Sequence, residues 1–176
     1  MLCSPVSLLP RSSPDALLQH RRSGPAGRPL HPAPLARWDL DKVLALIDQK
    51  KYFLLHAPRQ TGKTSCLLAL MAYLNREGRY RALYANLEGA QAYREQIDPA
   101  MATIVTDIAA AAGVWLGDRE PARQAAAVLA GTPPGSALGV FLTQSCQNAT
   151  QPLVLLLDEV DALIGDTLIS LLRQLR

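Results

Sequence analysis

From residue 38 onward the apolar positions follow two periods, and the switches between them mark out elements. Leu40, Val43, Leu44 and Ile47 recur at helical spacing behind Asp39, which reads as an N-cap, and the pattern stops near Lys50 and Lys51. Tyr52 to Ala57 then runs without polar alternation and predicts a short buried strand. The spacing of Leu67, Leu68, Leu70, Met71 and Leu74 predicts a helix over 63–77, closed by Gly78. A second strand is expected over 80–87. Asp98-Pro99 predicts a helix start, with Met101, Ile104, Val105, Ile108 and Ala112 on one face up to Gly113. Glu120-Pro121 opens a further helix to Gly131, and Ser136 is expected to cap another through about Gln147. Leu153 to Leu157 is fully aliphatic and predicts a buried strand ending at Asp158-Glu159, followed by a helical pattern from Leu163 to Arg176. Strands alternating with helices predict an α/β fold with a parallel sheet.

Composition changes this picture mainly at the N-terminus. Residues 1–37 hold seven of the 13 prolines and show no apolar periodicity, so they are expected to be a disordered Pro/Arg-rich segment, with 38–176 as one domain. The net charge of +3 also resides there: five Arg against one Asp leave the remainder near neutral, and nucleic acid is not indicated as a partner. Three cysteines without paired spacing support neither a disulfide framework nor a zinc site and fit a reducing cytoplasm. The N-terminus lacks signal-peptide order, and no stretch approaches membrane-helix length and apolarity, so the expectation is a soluble cytoplasmic protein with no membrane partner.

Candidate chemistry concentrates at the two expected strand ends. Ala57-Pro58-Arg59-Gln60-Thr61-Gly62-Lys63-Thr64 fits a phosphate-binding loop in which converging backbone N–H groups lead into a helix N-terminus. Gly62 permits close backbone approach, Lys63 supplies a point charge for the phosphates, and the Thr64 hydroxyl is placed to ligate Mg²⁺. Ala57 stands where the motif usually has its first glycine. Arg59 either touches phosphate or points to solvent, and His56 reads as a packed strand residue. Asp158 is the candidate second metal ligand and Glu159 the candidate catalytic group that polarises water. Asp161 reads as an N-terminal helix acid. Asn86 and Glu88 lie at the end of the second strand, where solvated polarity explains them as well as function does.

Lys51 to Thr64, Tyr84-Ala85-Asn86-Leu87-Glu88 and Leu155 to Asp161 together resemble the P-loop ATPases of the AAA+ and STAND type, in particular the bacterial AAA-like predicted ATPases. The resemblance places Walker A on 57–64 and Walker B on 153–159. It implies a P-loop NTPase three-layer sandwich, incomplete at the C-terminus, that binds ATP and Mg²⁺ and hydrolyses ATP in a longer parent as a switch or motor. Asn86 is then a candidate restraint on Glu159. A small-molecule P-loop kinase and a non-catalytic nucleotide-binding interaction module are the alternatives, with a protein partner or self-assembly possible beside the nucleotide. The family's sensor strand, arginine finger and helical lid have no counterpart in these residues, so a truncated product of poor autonomous stability is expected.

Overall fold

The computed structural model describes residues 34–56 and 61–175. The expected disordered segment therefore lies outside the described residues except at its end, where Pro34–Arg37 form a 3-10 turn. Six helices follow among the described residues: α1 (Leu40–Asp48), α2 (Lys63–Glu77), α3 (Ile97–Leu116), α4 (Glu120–Gly131), α5 (Pro134–Gln147) and α6 (Gly165–Gln174). Two strands, β1 (Arg81–Asn86) and β2 (Leu153–Asp158), are joined to them by 3-10 turns at Glu88–Tyr93 and Val160–Ala162.

Local chemistry accounts for several boundaries. Asp39 accepts a hydrogen bond from the Lys42 amide at 3.1 Å, the N-cap that its sequence position predicts. Gly78 ends α2 in the left-handed conformation, φ 74°, where a side chain would be strained. Three starts differ from expectation, α6 among them, which begins at Gly165 and not at Leu163. Helix α3 begins at Ile97, one residue before Asp98, so Asp98 lies in the first turn and favours the helix dipole without capping it. Helix α5 begins at Pro134, and Ser136 bonds back to the Pro133 carbonyl from inside the first turn.

The strands pair in parallel, from Arg81 opposite Leu153 to Asn86 opposite Asp158. Alternation then sends Ala82, Tyr84, Val154 and Leu156 to one face, against Leu67, Leu70 and Leu74 of α2 and Val43 and Ile47 of α1. Leu83 and Ala85 face the opposite way, against Met101, Ile104 and Ile108 of α3 and Leu138, Phe141 and Leu142 of α5. Trp115 of α3 is partly buried and packs against both cores.

The outer edge of β1 is closed by a side chain. Asn75 of α2 accepts from the Ala82 amide at 2.8 Å and donates to the Ala82 carbonyl at 2.9 Å, which satisfies both backbone groups of a residue with no exposed surface. Below it, Arg81 pairs with Asp118, whose other oxygen accepts from the Glu120 amide at the start of α4.

Three expectations are corrected by the fold. The segment 52–57 forms no strand: 51–56 is irregular, and Ala57 lies outside the described residues. Phe53 and Leu55 pack on the α1–α2 core, whereas Tyr52 and Leu54 are 58% and 85% exposed. A strand is defined by pairing with a neighbour, and the apolar run has none among the described strands. The sheet is therefore two-stranded and the fold predominantly helical, so the expected P-loop three-layer sandwich, with its extended parallel sheet, is not what these residues build. Nor does the expected lack of a membrane-length helix hold. By length and composition alone α3 could cross a membrane, although here its Met101, Ile104, Val105 and Ile108 fill the larger core.

Replacing Asn75 by Leu should cost about 1–3 kcal/mol in urea unfolding, because the Ala82 amide and carbonyl lose their partners inside the fold. Gln151→Ala, which removes an exposed bond to the Gly78 carbonyl, should change stability by less than about 0.5 kcal/mol. Burial alone would raise the Asp118 carboxyl, but the Arg81 bond and charge and the Glu120 amide hold it below its ordinary 3.8. Its contribution is therefore present above pH 3.8 and lost as pH falls through the lower folded value. Acid unfolding of Asp118→Asn should show a shallower loss of stability below that pH than the parent chain.

Candidate functional site

The C-terminal end of β2 and the N-terminal turn of α2 meet at one buried carboxylate. Asp158, last residue of β2, has 2% of its side chain exposed. Its Oδ2 accepts from the Thr64 hydroxyl at 2.6 Å and from the Tyr84 hydroxyl at 3.2 Å. Its Oδ1 accepts from the Glu159 amide at 3.1 Å and faces the Lys63 ammonium at 3.8 Å. Burying a carboxylate is tolerable only when it is paired and hydrogen-bonded, and these four donors meet that condition.

Each donor is placed by a different element. Gly62, at φ 81°, turns the chain into α2 with no side chain capping the helix, so Lys63 and Thr64 open its first turn. Tyr84 comes from β1, on the strand face that also carries Leu156 and Asp158 of β2. Glu159 is held at φ 55°, an uncommon conformation outside glycine, and this turns its amide back onto Asp158. Lys63 keeps 29% of its side chain exposed, so its charge is shared between Asp158 and solvent.

Sequence reading brought Lys63, Thr64, Asp158 and Glu159 to this place and missed Tyr84. The signal available was that Tyr84 lies two residues before Asn86 on an alternating strand, but pairing with β2 was needed to set it beside Asp158. Ala57, Pro58, Arg59 and Gln60 lie outside the described residues, and Thr61 is exposed. Asn86 is the register partner of Asp158, yet its side-chain oxygen accepts from the Glu88 amide at 2.8 Å. His56 is exposed, contrary to its reading as a packed residue, and Asp161 is exposed in the turn after β2.

A separate depression flanks the end of β1, between Asn86, Glu88, Gly89 and Asp107. Burial pushes the Asp107 carboxyl above its ordinary range. A second cavity shares Glu88 and Gly89 and extends to Arg94 and Ile164. Both lie on the side of the 3-10 turn after β1, and neither is lined by Lys63, Thr64 or Asp158.

Burial first, then the charge and hydrogen bond of Asp158, push the Tyr84 phenol from 10.0 up to about 12. The folded protein therefore retains a proton that the unfolded chain gives up from about pH 10, and stability falls between about pH 10 and 12. Alkaline unfolding of Tyr84→Phe should lose stability less steeply across that interval than the parent chain, as followed by circular dichroism.

The ATP and Mg²⁺ expectation does not survive this geometry. Among the described residues no group of three or more His, Cys, Asp or Glu side chains could hold a metal ion, and the donors around Asp158 occupy the oxygens that a cation would need. These two cavities lie away from the start of α2, and the extended sheet expected of the AAA+ and STAND type is not formed among the described residues. Assignment to that family, its Walker A and Walker B roles, ATP hydrolysis and a nucleotide partner are therefore corrected. No family model matches the chain, and neither a curated protein nor a solved structure matches it.

Proposed function

We propose that the first turn of α2 and the carboxylate end of β2 form a binding site for a small oxyanion, of the inorganic phosphate, sulfate or carboxylate class. The observation that supports it is the loose hold of a buried, fully hydrogen-bonded Asp158 on a partly exposed Lys63, at 3.8 Å. A carboxylate already satisfied by two hydroxyls and an amide leaves much of the ammonium's field for another anion. The α2 start, with no side-chain cap, adds first-turn amides that have no partner within the helix and lie on the positive end of its dipole.

Gly62, Lys63 and Thr64 are the residues assigned to the anion in this reading. Asp158 is the internal counter-charge. Glu159, partly buried beside it, adds a negative charge that limits how much anionic charge the site accepts. The proposal is one of binding, by a domain spanning 38–176 to which 1–37 is appended, in a cytoplasmic setting. It includes neither a nucleotide, a metal nor a chemical step.

Isothermal titration with sodium phosphate at constant ionic strength tests it through two variants of opposite sign. Lys63→Met should weaken binding roughly tenfold or more, the value of a charge-assisted contact. Asp158→Asn, which keeps the shape and frees the ammonium, should tighten binding. No heat with the parent chain, or the same direction of change in both folded variants, rejects the reading.

A further inference from the structure

We infer that Tyr84 is a positioning residue for this site, and that through its ring it reports the site's occupancy to Trp115; the inference rests on the oxyanion reading above. Three observations lead there. The Tyr84 hydroxyl and the Thr64 hydroxyl donate to the same oxygen of Asp158, at 3.2 and 2.6 Å. The Tyr84 ring meets the Trp115 ring edge to face, with centroids 6.3 Å apart and planes at 88°. Trp115 in turn packs against both cores.

The electrostatic coupling runs through the carboxylate. Every donor on Asp158 draws off negative charge, and less charge on Asp158 means a weaker hold on Lys63. The Thr64 bond is short and set by the first turn of α2, so it has little room to tighten. The Tyr84 bond is the longer one and belongs to a different element, β1, so it can respond. When an anion draws the ammonium away from Oδ1, the carboxylate recovers charge and pulls the phenol closer. Without the hydroxyl, Asp158 competes harder for Lys63 and the anion binds less well.

The same displacement moves the Tyr84 ring relative to Trp115. Aromatic pairs in this geometry are held by the edge of one ring against the face of the other, so a small shift changes the environment of the indole. Tyr84 is buried and sits among Leu70, Leu74 and Leu156, which leaves displacement along its bond to Asp158 as the natural response. Occupancy at the start of α2 thus reaches α3, on the opposite side of the sheet, through two side chains.

The sequence contains two tryptophans, Trp38 and Trp115, so Trp38→Phe leaves Trp115 as the reporter. The full chain with this substitution is titrated with sodium phosphate by calorimetry and by fluorescence. The emission of Trp115 is expected to change with the calorimetric midpoint. Adding Tyr84→Phe, which keeps the ring, should weaken binding roughly threefold to tenfold, less than a lost direct hydrogen bond to a charged group because the effect reaches the anion only through Asp158. The fluorescence response should collapse with it. A role confined to stability would lower the melting temperature and leave the response intact in the protein that remains folded.

Should Tyr84→Phe fail to melt cooperatively, 3-fluorotyrosine at position 84 serves instead. It is a stronger donor, and at a pH where it keeps its proton it should tighten binding and enlarge the emission change. Unaltered affinity and response in either chain overturn the inference and leave the oxyanion site standing. Absence of heat with the Trp38→Phe chain itself overturns the site, and this inference with it.

Discussion

A charged carboxylate with 2% of its surface exposed is the constraint on which the arrangement of this domain depends. Left without partners, it would cost several kcal/mol. It is kept by donors from three places in the chain: the first turn of α2, the middle of β1 and the residue after β2. Satisfying Asp158 therefore fixes the register of β1 against β2 and the height of α2 above them. A one-residue slip of β1 would carry Tyr84 to the other face and leave the carboxylate short of a donor.

The pair of strands is too narrow to form a conventional sheet, and it holds because both of its faces are covered. Ala82 and Tyr84 of β1 and Val154 and Leu156 of β2 bury against α1 and α2, and Leu83 and Ala85 of β1 bury against α3 and α5. Asn75 takes the place of a further strand along one edge, where its amide reproduces the two hydrogen bonds that a neighbour would make to Ala82. Trp115 spans the two cores at their margin, which makes the polar end of the sheet and the large helical core physically continuous.

Parts of this were legible in the text of the chain and parts were not. The limits of α2 and α4 and the aliphatic run of β2 match their sequence signals, because periodicity, proline and glycine act over a few residues. Tyr52 to Ala57 misled for a physical reason: an apolar run specifies burial of alternate residues, which Phe53 and Leu55 achieve, but it does not supply a strand to pair with. The same short text, ending in Gly62-Lys63-Thr64, carried the family resemblance. That motif specifies a turn into a helix, which formed, whereas the sheet around it is the work of distant segments. Tyr84 had no motif of its own and became significant only as the neighbour of Asp158.

The sequence alone determined the helices, their caps at Asp39 and Gly78, and the meeting of a lysine and a threonine at one helix start. These follow from hydrogen bonds and side-chain contacts that close within about four residues. Only the tertiary structure decided which apolar runs became strands, and that Lys63 and Thr64 turn to Asp158. The same holds for the second hydroxyl-bearing position, Tyr84. Strand pairing and the burial of a charge depend on groups brought together from some 70 to 95 positions apart, and no local pattern encodes that distance.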